Sequence, residues 1–178
     1  MTDTPPKAPN TIPNDHRAAA PKTIVCAVIT ISDTRTLDND RGGQQLMDHL
    51  VFAGHEIAHR EIVKDEPTSI RQIILQLTSS SVTVDAILMT GGTGIGSRDQ
   101  TFETISDLIE KELPGYGELF RQLSYQEIGP AAMLSRAVGG LRGSTLLLTM
   151  PGSPAAVNLA MEQLILPELR HLVQQAHS

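Results

Sequence analysis

The chain is 178 residues long and carries 14 basic against 20 acidic side chains, a net charge of −6. That length gives room for one domain with a sizeable core, and the charge has the wrong sign for a protein that works by neutralising a nucleic-acid backbone. The single cysteine, Cys26, allows no intrachain disulfide, no apolar run approaches the ~20 residues of a bilayer-spanning helix, and the N-terminus lacks the apolar core of a signal peptide. The expectation is a cytoplasmic protein with no nucleic-acid or membrane partner, to which a small phosphorylated ligand remains open.

Residues 1–21, with Pro5, Pro6, Pro9, Pro13 and Pro21 among small and polar neighbours, carry no periodic pattern and are predicted to be a disordered tail preceding a domain over 22–178. The first apolar run, 23–31, reads as a strand with Cys26 as a buried core thiol, and Ser32-Asp33 is a polar pair where it must end. A helix over 43–53 presents Leu46, Leu50 and Val51 to the core, a strand follows at 55–63, and a helix over 68–80 presents Ile70, Ile73, Ile74 and Leu77. Pro67 suits the first turn of that helix, and Asp65 and Glu66 sit at its mouth, where the dipole favours acids. His55 and His59 share a strand face, but no third ligand comes at zinc spacing.

The next strand, 84–90, runs into Gly91-Gly92-Thr93-Gly94-Ile95-Gly96-Ser97-Arg98-Asp99, a strand-to-helix turn stripped of side chains. Such a turn lets backbone N–H groups close on an anion, usually a phosphate. No Gly-Lys-Ser/Thr follows, so it is not the P-loop, and neither reading of its glycines completes the dinucleotide fingerprint. A side chain at Gly92 is expected to stand where phosphate approaches. Asp99 on the turn itself would repel phosphates unless a divalent cation such as magnesium lay between, although it could serve only as a helix cap.

A helix over 101–112 is expected to break at Pro114-Gly115, and a second over 116–127, with Leu119, Phe120 and Leu123 inward, to end at Gly129-Pro130. Residues 136–144 read as a strand and tight turn forming a hairpin with the strand 145–150. After Pro151-Gly152-Ser153, with Ser153 as N-cap and Pro154 at the first helical position, a C-terminal helix carries Val157, Met161, Leu164 and Ile165, and Pro167 should break or kink it. Met89, Met133, Met150 and Met161 read as core fillers.

Alternating strands and helices predict a three-layer α/β/α fold around a mostly parallel sheet with one antiparallel strand. Ligands bind such sheets outside the carboxyl ends of the strands, so Ser32-Asp33, Lys64-Asp65-Glu66, Gly91 to Asp99 and Pro151-Gly152-Ser153 are expected around one cleft. That set suits a nucleotide and a second phosphorylated molecule with magnesium between. Capping alone could explain Asp65 or the Pro-Gly-Ser turn, and Arg98 could meet a phosphate, Asp99 or solvent.

Thr90-Gly91-Gly92-Thr93-Gly94, Arg98-Asp99-x-Thr101, Pro114-Gly115-Tyr116-Gly117-Glu118, Ala132-Met133-Leu134-Ser135-Arg136 and Met150-Pro151-Gly152-Ser153, in this order, resemble the molybdenum cofactor biosynthesis protein B and Mog family, related to the G domains of gephyrin-like proteins. The resemblance implies a molybdopterin adenylyltransferase that uses magnesium and ATP to place AMP on the terminal phosphate of molybdopterin, releasing pyrophosphate. It implies that Asp65 and Asp99 are the two functional aspartates, either of them a magnesium ligand. Ser32, Gly91, Gly92, Thr93, Gly94, Ser135, Pro151, Gly152 and Ser153 would line the pterin and phosphate site. It further implies a homotrimer or hexamer that hands its product to a molybdenum-insertion protein. Lys64 stands where several active relatives have proline, which keeps a second reading open: a molybdopterin-binding carrier without turnover. A nucleotide pyrophosphatase of the competence-damage type is a third, against which the single aspartate of the turn speaks.

Overall fold

A computed structural model describes residues 21–79 and 84–178. The expected tail, apart from Pro21, and Ser80 at the end of the second expected helix lie outside them.

In chain order the elements are β1 (Val25–Ile31), α1 (Arg41–Phe52), β2 (Glu56–Val63), α2 (Pro67–Leu77), β3 (Ala86–Thr90), α3 (Thr101–Leu108), β4 (Lys111–Glu112), α4 (Pro114–Ile128), a 3-10 turn (Gly129–Leu134), β5 (Gly139–Arg142), β6 (Thr145–Met150), α5 (Pro154–Ala160), a π turn (Met161–Ile165) and α6 (Leu166–Ala176). The strands form one sheet in the order β2-β1-β3-β6-β5-β4. β1 pairs in parallel with β2 and β3, and β3 with β6, while β5 runs antiparallel to both β6 and β4. Among the described residues, β5 is therefore the one strand of reversed direction.

Successive residues of a strand point to opposite faces, and both faces of this sheet are covered, so its central strands are apolar throughout. Cys26, Val28, Leu88, Leu146 and Leu148 pack on one side with Leu46, Leu50, Phe120, Met161, Leu169 and Val173 from α1, α4, the π turn and α6. Ala27, Ile29, Ile87, Met89 and Leu147 pack on the other with Ile70, Ile73, Ile74 and Leu77 of α2 and Ile105 and Leu108 of α3. The layers are thus helix, sheet, helix. Burial pushes the Cys26 thiol up to about 12, with the charge of Asp85 adding to it, so it is an inert core group. β1 lies between β2 and β3. The chain reverses its direction of travel across the sheet there, which opens a crevice beyond the carboxyl ends of β1 and β3.

Several sequence expectations are corrected. The helix from Thr101 stops at Leu108, because Ile109 turns extended and the next residues pair with β5: Glu110 N–H donates to Leu141 O at 2.8 Å and Leu113 N–H to Gly139 O at 2.8 Å. Pro114 starts α4 rather than breaking a helix, in the first turn where a missing N–H costs nothing. Arg136 precedes β5 instead of belonging to it. Val51 is 61% exposed and Leu119 50%, so the buried stripes are narrower than their spacing suggests, and Met133, on the 3-10 turn, is 79% exposed and no core filler. Pro167 does not end the C-terminal helix, since the π turn before it carries the chain on to Ala176.

Candidate functional site

At the carboxyl ends of β1, β3 and β6 lies a cleft of about 940 Å³. Its floor is backbone, made possible by three glycines. A Cβ at Gly152 would lie 3.4 Å from Gly91 Cα, one at Gly42 would press on Gly152 O at 3.0 Å, and one at Gly91 would collide with Ile31 O. Gly91 N–H donates to Met150 O at 3.1 Å, joining the ends of β3 and β6.

The glycine turn leaves β3 with Gly91 at φ 100° and Gly92 at φ 61°, conformations that disfavour any side chain. Among the described residues, no acceptor meets the N–H groups of Gly92, Thr93, Gly94 and Ile95. Thr93, Gly94 and Asp99 line the cleft, so the turn is a cradle of unpaired donors beside a carboxylate. A Cβ at Gly92 would not stand in the path of a ligand, as expected from the sequence. It would collide with Thr101 Oγ1 and come within 2.6 Å of Asp65 Oδ2, behind the turn.

The two aspartates are placed differently. Asp65, 8% exposed, lies outside the cleft lining. Its Oδ1 accepts from Gln100 N–H at 3.0 Å and its own N–H donates to Asp33 Oδ1 at 3.2 Å. Burial raises its carboxyl above the ordinary carboxylate range, opposed by the Gln100 hydrogen bond and aided by the charges of Asp99 and Asp33. Asp65 therefore buttresses the turn. Asp99 lines the cleft, its Oδ2 accepting from Gly96 N–H at 2.9 Å. Arg98 turns away from Asp99 to Asp33 at 2.7 Å, which holds Asp33 below the usual range and leaves Asp99 with no cationic side chain within salt-bridge distance among the described residues.

Ser32, Gly91, Gly92, Thr93, Gly94, Ser135, Pro151, Gly152 and Ser153 all line the cleft with Asp99. Ser32 Oγ accepts from Thr34 N–H and Arg35 N–H, at 3.2 and 3.1 Å, and so shapes the β1–α1 loop. Ser153 Oγ caps α5 through Ala156 N–H at 3.2 Å, as its position before Pro154 foretold. Ser135 Oγ is buried yet meets no partner, a polar atom left for something the cleft would hold. Ile128, Ala131 and Leu134 supply an apolar wall suited to a flat ring.

Sequence reading missed the opposite wall. Asp40, Arg35 and Arg41 line the cleft there. Asp40 caps α1 through Gly43 N–H at 2.9 Å and accepts from Thr30 Oγ1 at 2.6 Å and from Arg60 at 3.3 Å. The sequence signal was an aspartate three residues before Gly43, in an N-cap relation obscured by starting the helix at Gly43.

Among the described residues, no three His, Cys, Asp or Glu side chains cluster to hold a metal, and His59 pairs with Glu61 instead. A protein-only cation cage is thus absent from them. Magnesium, however, takes one or two carboxylates and completes its shell with phosphate oxygens and water, and the unpaired Asp99 beside the donor cradle fits that role.

No helix among the described residues is long and apolar enough to cross a membrane. The family model described as "Probable molybdopterin binding domain" matches residues 27–171. The molybdenum cofactor biosynthesis protein B of Halalkalibacterium halodurans is 48% identical over 161 residues, covering 90% of this chain and 94% of that protein. A crystal structure of a molybdenum cofactor biosynthesis protein B superposes with a TM-score of 0.84 at 51% identity, over 89% of this chain and 98% of the other. The tungsten cofactor synthesizing protein MoaB from Pyrococcus furiosus superposes at 0.77 with 36% identity, over 89% and 100%.

Proposed function

The chain belongs to the molybdenum cofactor biosynthesis protein B and Mog family, and on that premise we propose that it binds molybdopterin and transfers AMP to it from magnesium-bound ATP. A terminal phosphate oxygen of molybdopterin attacks the α-phosphorus of ATP, the bond from that phosphorus to the bridging oxygen breaks, and pyrophosphate leaves. The attacking oxygen is already anionic, so no strong general base is needed, and catalysis rests on alignment and charge neutralisation.

The observation that carries this reading is the run of unpaired N–H groups from Gly92 to Gly94 on the cleft lining, continued by Ile95 at its rim, with Asp99 on the same lining. The N–H groups hold phosphate oxygens in line, and Asp99 would hold a magnesium ion, which would supply charge neutralisation for the phosphates. Ser135 offers its unpaired hydroxyl, and the Ile128–Leu134 wall takes the pterin. Asp65 acts behind the turn rather than on the substrate. The working form is a cytoplasmic homotrimer or hexamer that passes its product to a molybdenum-insertion protein.

The test is product analysis after mixing purified protein, molybdopterin, ATP and magnesium, with Asp99→Ala as control. Adenylylated molybdopterin formed by the wild type alone supports the transferase. One observation favours a carrier that binds without turnover: Asp65 is spent on the fold, leaving a single cleft aspartate on the glycine turn. Bound pterin that is never adenylylated would decide for it.

A further inference from the structure

Besides Asp65, a second side chain that does not line the cleft holds the glycine turn. Arg136 comes from the segment between the 3-10 turn and β5, some forty residues along the chain. Its Nε donates to Thr93 O at 3.2 Å, one terminal nitrogen donates to Gly94 O and, at 3.1 Å, to Asp99 O, and the other pairs with Glu103. The guanidinium also lies 5.2 Å from the centre of the Phe102 ring. A single planar group thus ties down three carbonyls of the turn, and its charge is anchored to α3.

We propose that Arg136 is the positioning residue of the anion cradle: by gathering the carbonyls of Thr93, Gly94 and Asp99 on its own side, it turns the N–H groups of Gly94 and Ile95 toward the anion. The physical basis is the planar trans peptide, in which C=O and N–H point in opposite directions, so fixing the carbonyl of Thr93 fixes the N–H of Gly94, and fixing that of Gly94 fixes the N–H of Ile95. Glycine-rich backbone has no side chains with which to hold its own peptide planes, and three carbonyls facing one another without a donor would splay apart. A fixed cation behind the turn also adds to the field that draws an anion from the front. Lysine cannot substitute, because an ammonium is a point charge without the fork that spans three acceptors and a carboxylate. This inference rests on reading the turn as a phosphate cradle.

Arg136→Lys keeps the charge beside Glu103 and removes the fork. The probe is inorganic pyrophosphate with magnesium, titrated calorimetrically into the full chain, alongside thermal unfolding and amide hydrogen exchange. Affinity is expected to fall about tenfold, the protection that bound pyrophosphate gives the Gly94 and Ile95 amides against exchange to diminish, and the unfolding midpoint to stay near that of the wild type. Methylguanidinium added to Arg136→Ala should restore part of the affinity, which a merely structural loss would not permit. Should Arg136→Lys fail to fold, Glu103→Gln, which frees one edge of the fork, is expected to weaken pyrophosphate by about threefold. Affinity equal to the wild type in the variant that folds overturns the proposal. A wild type that binds no pyrophosphate overturns both the cradle and this role of Arg136. A wild type that binds pyrophosphate but never transfers AMP removes only the transferase, because neither titration nor exchange requires molybdopterin.

Discussion

The same strands end in opposite ways at the two edges of the sheet. At the amino end, polar side chains close backbone groups: Val25 N–H donates to Asp85 Oδ2 at 2.8 Å, Ile24 N–H to His55 Nδ1 at 3.2 Å, and Thr145 Oγ1 to Val84 O at 3.1 Å. At the carboxyl end, Gly92 to Ile95 leave their N–H groups unmet, and Ser135 leaves a hydroxyl. Side chains gather there too, but Arg136, Asp65 and Asp99 take carbonyls or brace the turn without filling the donor row. A closed edge contributes stability, whereas an open one is maintained by neighbours so that a ligand can complete it.

The comparison breaks most visibly at Gly92. Gly92→Val should destabilise the fold by about 3 kcal/mol or more, since its Cβ meets Thr101 and Asp65 in a left-handed backbone. Urea unfolding reads this directly, and a normal midpoint would mean that the turn is not braced as described. Asp99→Asn should separate function from fold, lowering kcat/KM for the proposed AMP transfer by about a hundredfold. Its unfolding midpoint should hardly move, because the amide oxygen can still accept from Gly96 N–H. Turnover at the wild-type level would remove the charge of Asp99 from the mechanism. Asp85→Ala, at the closed edge, should do the reverse, costing about 1–2 kcal/mol by orphaning Val25 N–H while leaving transfer unchanged.

The smallest effect concerns pH at that closed edge. Burial, with the charge of Arg170 adding to it, lowers the His55 pKa below its ordinary 6.5. The unfolded chain therefore takes up the proton first, so the stability that neutral His55 contributes is present above about pH 6.5 and is lost as pH falls toward the lower folded-state value. Urea midpoints at pH 7.5 and 5.5 should show a smaller difference in His55→Gln than in the wild type, and equal differences would exclude His55 as the source.

The central strands were legible because burial on both faces leaves continuous apolar runs, and the turn was legible because glycine is the residue that tolerates its backbone. β4 was not, because Lys111 and Glu112 have no strand character of their own and become a strand only by pairing with Leu141 and Gly140. No residue between Leu108 and Pro114 marks a break in the sequence, so the expected helix ran past its end. Within the site, the lining from Gly91 to Gly94 and from Pro151 to Ser153 followed from the ends of strands, which topology fixes. The division of labour between Asp65 and Asp99 did not, because both stand at helix mouths in sequence and only the packing puts one behind Gly92 and the other in front. Arg136 was equally hidden, since a single arginine before a strand carries no mark of the carbonyls it will meet.

The C-terminal helix buries Val157, Met161, Ile165, Leu169 and Val173 in a row four residues apart, with Ala160 beside it. On ordinary winding, each step of four overshoots a full turn by about 40°, so the row would have spiralled about 160° around the rod by its end. The five residues Met161–Ile165, where Leu166 N–H reaches back to Met161 O, rotate less per residue and take up much of that excess, much as a leap day keeps a calendar aligned with its seasons. The wider coil also falls where the ring of Pro167 would otherwise press on the carbonyl of Gln163. Here, deleting one residue would bring the rod closer to regular winding, whereas elsewhere along it the same deletion would throw its inward row out of phase.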